Sequence, residues 1–141
     1  QSGSTHIFDK FEVHCTEAEH VQPFLDSLAY RVDSKKISVV YTGDTAPCDQ
    51  VIELSHRVDV MVCMCWDDQK VMEETGESQG QCGTVGAAIM AAKAEVKHLV
   101  LTHLGPNINK KEEQEKSLRE MKKIFKGKIT FSHELEDISL P

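Results

Sequence analysis

Two apolar runs of the chain end in residues that can bind a metal ion. Residues 37–41 lead into Gly43 and Asp44, and residues 99–101 lead into Thr102 and His103. Each run has the character of a buried strand. In open α/β sheets the chemistry gathers beyond the carboxyl ends of the strands, and carboxylate and imidazole groups are both ligands of catalytic zinc. The pattern therefore predicts that Asp44 and His103 belong to one site at the edge of a sheet.

Both residues also have a structural interpretation. The sequence Gly43-Asp44-Thr45 suits a turn in which Asp44 or Thr45 caps the following helix, and spacing alone favours this cap. A lone histidine such as His103 is most often a hydrogen-bonded structural residue. Neither interpretation is excluded by the residues themselves.

The elements that would position these residues follow from the patterning of apolar residues. Strands at 11–15, 28–32 and 37–41, with a polar turn at 33–36, predict an antiparallel hairpin. Strands and helices then alternate: a helix from Pro47 to about His56, a strand at 58–65, an acidic loop at 66–81 with at most one helical turn, a helix at 84–94, a strand at 97–101, a helix at 109–125 and a strand at 128–131. This order predicts an α/β fold with a mixed sheet and right-handed parallel crossovers that place the helices on one face.

Length and charge limit the classes of function. The 141 residues suit a single domain over 1–141, and the polar start at 1–5 is interpreted as an expression remnant. No apolar stretch has the length of a membrane span. The net charge of −7 makes a general nucleic-acid binder an unlikely interpretation. A basic group at 122–128 has glutamates on its N-terminal side, which favours a solvated mixed face.

The cysteines indicate a reducing compartment. There are 5 of them, without a C-x-x-C pair, so neither a disulfide framework nor a zinc ribbon is indicated, and the chain is interpreted as a cytoplasmic protein with reduced thiols. Cys63 and Cys65 lie on one face of a predicted strand, where they either bind a soft metal or act as small buried apolar residues. The second interpretation is preferred.

Several segments in order carry a resemblance to a known family. They are residues 19–21 with His20, residues 28–32, residues 39–45 with Asp44, residues 58–62, and residues 96–106 with His103. Together they resemble the C-terminal half of a metallo-β-lactamase-fold hydrolase, closest to its RNase Z-like and arylsulfatase-like branch. The resemblance implies that residues 6–141 form half of an αβ/βα sandwich. It also implies a dinuclear zinc centre at the edge of the sandwich, with His20, Asp44 and His103 as metal ligands.

Three departures from the family pattern bear on activity. The leading motif His-x-His-x-Asp-His is missing, since no two of the 7 histidines are spaced by one residue. Gln81 stands where RNase Z-like members carry a histidine, and an amide is not a general acid or base near neutral pH. Cys63 and Met64 stand where the branch often has His-Glu. The chain is therefore predicted to be a truncated hydrolase-like protein without independent catalysis.

Self-association follows from the same resemblance. In the whole fold the inner face of this sheet packs on the other half, so alone it would expose apolar area to water. A homo-oligomer that covers this face is predicted. Two alternatives remain: an active metal-dependent hydrolase of phosphodiesters or other small ester substrates, with its metal site completed by a partner or an N-terminal half, and a non-catalytic binding or oligomerisation module.

Overall fold

The computed structural model describes residues 3–140. Within this range the elements follow one another as β1 (Thr5–Ile7), β2 (Phe11–Ala18), β3 (Ser27–Ser34), β4 (Ser38–Tyr41), α1 (Asp49–Leu54), β5 (Val60–Met64), α2 (Gln69–Thr75), α3 (Thr84–Lys93), β6 (His98–Thr102), α4 (Lys111–Ile124) and β7 (Lys128–Phe131).

All of these strands belong to one mixed sheet, in which spatial order equals chain order from β1 to β7. Strands β1 to β4 pair antiparallel, and β3 with β4 forms the predicted hairpin, in which Asp33 is paired with Ser38. Strands β4 to β7 pair parallel. The three parallel connections step in the same direction across the sheet, so right-handed crossovers put α1, α2, α3 and α4 on one face. The predicted fold class is confirmed.

The core lies between the sheet and these helices. Met61 and Cys63 of β5 are paired with Leu99 and Leu101 of β6, and all four side chains are fully buried. They pack against the small residues of α3, whose Ala87, Ala88 and Ala91 are also inaccessible. Alanines at these positions let the helix approach the sheet closely, which explains why this Ala-rich helix has few large side chains on its inner face.

The opposite face of the sheet carries exposed apolar side chains. Tyr30 of β3 is paired with Tyr41 of β4, and Val32 is paired with Val39 on the same face. Tyr30, Val32 and Tyr41 are 42%, 38% and 54% exposed. Neighbouring apolar side chains that are exposed on one face of a sheet are typical of a face that contacts another surface.

The structure corrects three expectations. Residues 66–81 contain the seven-residue helix α2, longer than one turn, which begins where Asp68 accepts a hydrogen bond from the Lys70 N–H and ends at Gly76 in the left-handed conformation. Strand β1 was not predicted; its Thr5, within the segment interpreted as a remnant, pairs with His14. Residues 1 and 2 of that segment lie outside the described residues. Helix α1 spans only six residues, because it starts two residues after Pro47 and ends two residues before His56.

Candidate metal centre

Asp44 lies at the carboxyl end of β4, in a turn held by its neighbours. The Thr42 N–H donates to Val62 O, and the Thr45 hydroxyl oxygen accepts a hydrogen bond from the Glu19 N–H. Gly43 has φ +61°, which only glycine adopts readily. The expected cap is wrong, because α1 begins at Asp49, with Cys48 as its N-cap residue. The Asp44 side chain is instead 38% exposed at the sheet edge.

His103 lies at the carboxyl end of β6, two strands away from Asp44. Its backbone φ is +54°, a left-handed conformation that is sparse for residues with a Cβ. Its Nε2 lies 3.8 Å from Asp44 Oδ2, and its side chain is 48% exposed. Two strand ends that are distant in sequence thus bring a carboxylate and an imidazole together at one edge of the sheet, as the sequence predicted.

His20 follows β2 and contacts a different segment. Its Nδ1 is 2.7 Å from Gly80 O, and its backbone N–H donates to Gln22 Oε1 at 2.8 Å. Because a carbonyl oxygen only accepts hydrogen bonds, Nδ1 must carry the proton, which leaves Nε2 of the neutral ring as an acceptor. Metal-bound histidines commonly show this arrangement, with one nitrogen donating to a carbonyl and the other binding the ion.

The environment of His20 includes a residue singled out by the sequence. A cavity of about 380 Å³ is lined by His20, Phe24, Gln79 and Gln81, among others. Phe24 is 90% exposed there. Gln81 therefore lines the same cavity as the candidate ligand His20. Its amide can both donate and accept hydrogen bonds.

Cys63 and Met64 serve packing at this edge. Both are buried, and Cys63 Sγ donates a hydrogen bond to the carbonyl of Met64. Met64 Sδ accepts a hydrogen bond from the Thr45 N–H at 3.1 Å. Met64 therefore steadies the Asp44 turn. In the described part of the chain all the cysteines are buried and none forms a disulfide, which agrees with the interpretation of Cys63 and Cys65 as small apolar residues.

The donors fit a zinc ion in type but not yet in number. Asp44 and His103 offer oxygen and nitrogen donors, and a catalytic zinc takes three protein ligands. Between residues 3 and 140, no group of three or more His, Cys, Asp or Glu side chains is placed to hold a metal ion. The Asp44–His103 pair alone therefore offers too few donors to hold zinc firmly.

Two neighbouring residues escaped the sequence analysis. The rings of Trp66 and His103 have centroids 5.7 Å apart at an interplanar angle of 48°. Asp67, which is 6% exposed, accepts a hydrogen bond from Asn107 Nδ2 at 3.0 Å and so ties the β5–α2 loop to the β6–α4 loop. A single tryptophan directly after a predicted strand was the available signal, since strand ends were already the expected place of the site.

Comparison with known families agrees with this architecture. Residues 1–104 match the model of the beta-lactamase superfamily domain. The chain belongs to the beta-lactamase superfamily. Within it, the chain is similar to ribonuclease Z of Sulfolobus acidocaldarius, with 36% identity over 96 residues, covering 68% of this chain and 31% of that protein. It is also 39% identical to ribonuclease BN of Escherichia coli O6:H1 over 100 residues, covering 71% of this chain and 32% of that protein.

Solved structures show the same fold. The metallo-beta-lactamase fold protein YhfI from Bacillus subtilis superposes with a TM-score of 0.76 at 23% identity, covering 94% of this chain and 51% of that one. Human tRNase Z, short form, superposes with a TM-score of 0.68 at 21% identity, covering 96% of this chain and 44% of that one. The predicted family, including its RNase Z-like branch, is confirmed. The chain spans about a third of the length of the ribonuclease relatives.

The relatives also bear on the predicted partners. Several are ribonucleases by name, so they give no support to the expectation that nucleic acid is an unlikely partner. Among residues 3–140, no helix is both long and apolar enough to cross a membrane.

Proposed function

We propose that His20, Asp44 and His103 are zinc ligands of a metallo-β-lactamase-type hydrolase site, of which this chain supplies one part. The observation that carries this proposal is the 3.8 Å approach of His103 Nε2 to Asp44 Oδ2. The two atoms are too far apart for a hydrogen bond. A cation bound by both would therefore not have to displace one. The proton on His20 Nδ1 supports the third ligand, because it leaves Nε2 available.

Zinc, when bound in such a site, lowers the pKa of a coordinated water and polarises the bond to be hydrolysed. The residues of this chain have different roles. Asp44 supplies negative charge that favours a cation, and His103 and His20 are neutral donors. The Gly80 carbonyl orients the His20 ring, and Gln81 contacts the substrate through its amide.

The 141-residue chain by itself lacks the His-x-His-x-Asp-His ligands, so we propose that it binds zinc weakly and has no independent catalysis. Donors from a partner or an N-terminal half would complete the site. Similarity to ribonucleases Z and BN supports phosphodiesters as the substrate class, with other small esters as the alternative. The five thiols support a reducing compartment such as the cytoplasm.

Zinc titration by isothermal calorimetry tests the proposal. We expect the wild-type chain to bind zinc, and Asp44→Ala or His103→Ala to weaken binding at least about tenfold, since each removes a ligand. His56→Ala is the matched control, because His56 is an exposed histidine next to the amino-terminal end of β5. Equal affinities in all four proteins would refute the site. Turnover of bis(p-nitrophenyl) phosphate by the chain above a zinc blank would refute the lack of independent catalysis.

A second candidate function is self-association through the open face of the sheet, defined by Tyr30, Val32 and Tyr41. Their exposure favours a homodimer in which two such faces meet, which would make the chain an oligomerisation module. Sedimentation equilibrium should give a dimer for the wild type and a monomer for Tyr41→Lys. Ile89→Lys is the control: Ile89, which is 39% exposed, belongs to α3 on the other face. A monomeric wild type would exclude this candidate.

A further inference from the structure

None of the residues that the structure describes forms a hydrogen bond that fixes the orientation of the His103 imidazole. Within residues 3–140 its polar neighbour is Asp44 Oδ2 at 3.8 Å, beyond hydrogen-bond distance. His20, in contrast, is held by the Gly80 carbonyl at 2.7 Å. A half-exposed imidazole without such a partner would sample several rotamers and lose affinity for any ion that requires one of them.

The indole of Trp66 is the group that packs against this ring. The centroid distance of 5.7 Å lies in the range that aromatic pairs prefer, and the tilt of 48° is intermediate between a stacked and an edge-to-face arrangement. Trp66 itself packs on the hydrophobic core, whereas His103 projects to solvent. The indole is therefore anchored in the core, and the more exposed imidazole packs against it.

Backbone contacts hold Trp66 on both sides. Its N–H donates to Cys82 O at 2.9 Å, and its carbonyl oxygen accepts the Gly105 N–H at 2.8 Å. A Cβ at Gly105 would overlap that carbonyl oxygen, so the absence of a side chain allows the loop after His103 to lie this close. The hydrogen bond from Asn107 to Asp67 fixes the same two loops a second time.

We propose that Trp66 is a positioning residue, whose indole holds the His103 imidazole in the orientation that aims Nε2 at Asp44. The left-handed backbone of His103 is a conformation that persists only where the surroundings impose it, and the contact with Trp66 supplies part of that constraint. The consequence for zinc rests on the proposed function, but the orientation of the ring does not.

NMR of the metal-free protein tests the orientation directly. We expect nuclear Overhauser contacts between the indole and imidazole protons and a single His103 χ1 rotamer in the wild type. Trp66→Phe should keep one rotamer, and Trp66→Leu should average it. Rotamer averaging in the wild type, or a single rotamer in a folded Trp66→Leu, would overturn the proposal. The wild-type and Trp66→Phe measurements decide the matter even if Trp66→Leu does not fold.

Zinc affinity separates positioning from a general loss of stability. Trp66→Leu should weaken zinc binding roughly tenfold and Trp66→Phe by less than about threefold, as for partners that orient a metal ligand. Ile129→Ala is the control, because Ile129 also packs on the core from a partly buried position. An equal loss of affinity in Ile129→Ala would overturn positioning. If the wild type binds no zinc, the proposed function fails, and the NMR result still decides the role of Trp66.

Discussion

The Ser117 hydroxyl donates a hydrogen bond of 2.9 Å to Asp68 Oδ2, and both residues are buried. The hydrogen bond joins the middle of α4 to the N-cap residue of α2. The other oxygen of the same carboxylate, Oδ1, accepts a hydrogen bond from the Lys70 N–H at the start of α2. Removing the hydroxyl leaves a buried carboxylate short of one donor. We expect Ser117→Ala to lower the free energy of unfolding by about 1.5–3 kcal/mol, measured by urea denaturation.

A neighbouring residue on the same helix is the control. Lys116 forms an exposed ion pair with Glu113 at 3.5 Å. Exposed pairs contribute little, so Lys116→Ala should change the free energy of unfolding by less than about 0.5 kcal/mol. If the two substitutions cost the same, the hydrogen bond between Ser117 and Asp68 does not stabilise the fold as argued.

Gly80 is predicted to fix the position of His20. Gly76 and Gly80 have similar left-handed φ values of +75° and +72°, but a Cβ meets nothing within 4 Å at Gly76 and overlaps the His20 carbonyl oxygen at Gly80. Gly76→Ala should cost about 1–2 kcal/mol of unfolding free energy from backbone strain alone. Gly80→Ala should cost more and also weaken zinc binding, because the His20 segment must move. If Gly76→Ala and Gly80→Ala had equal effects on the free energy of unfolding and on zinc affinity, Gly80 would not fix the position of His20.

Most strands and helices could be predicted from the sequence, because apolar periodicity reports burial directly. The strand at 128–131 and the hairpin leading to Tyr41 were found on that basis. The short edge strand β1 was not, since its Thr5, His6 and Ile7 are all exposed and carry no burial signal. Helix α2 was predicted only as at most one helical turn in an acidic loop, because the glycines and acidic residues at 66–81 resemble a loop. The caps that define it, Asp68 and Gly76, were present in the sequence.

Some features of the candidate site could likewise be predicted from the sequence and others could not. Asp44 and His103 could be predicted, because each directly follows a buried strand and parallel strands end at one edge. The contact of Trp66 with His103 and the hydrogen bond from His20 to Gly80 could not, since both depend on the paths of loops between the elements. Loop paths are set by packing rather than by residue pattern, so they appear only in the structure.

Asp59 is predicted to make stability depend on pH at the acidic end. A hydrogen bond from Lys97, 2.7 Å long, and further hydrogen bonds from Ser38 lower the pKa of the Asp59 carboxyl from 3.8 to about 2. Because the pKa is lower in the folded state, this stabilisation is complete above about pH 4 and disappears as the pH falls towards 2. In Asp59→Asn this part of the pH dependence should vanish.

Urea denaturation at pH 2.5, 4 and 6 measures this effect. Glu95→Gln is the control, since Glu95 forms an exposed ion pair with Arg57. The control should retain the wild-type dependence between pH 2.5 and 4. Because the Lys97 side chain is 66% exposed, the contribution of Asp59 should shrink in 1 M salt. A wild-type slope in Asp59→Asn would exclude Asp59 as its source.

The core thiols are predicted to be unreactive in the folded protein. Burial raises the pKa of the Cys65 thiol, and a hydrogen bond with Cys63 together with burial raises that of Cys82. The thiolate is the reactive form, so alkylation by iodoacetamide at pH 8 should follow unfolding of the core. Cys15, 7% exposed and outside the core cluster, should be modified first, and 5 thiols should react in urea. Mass spectrometry of timed samples gives the order; modification of Cys65 or Cys82 before Cys15 would contradict a rigid core.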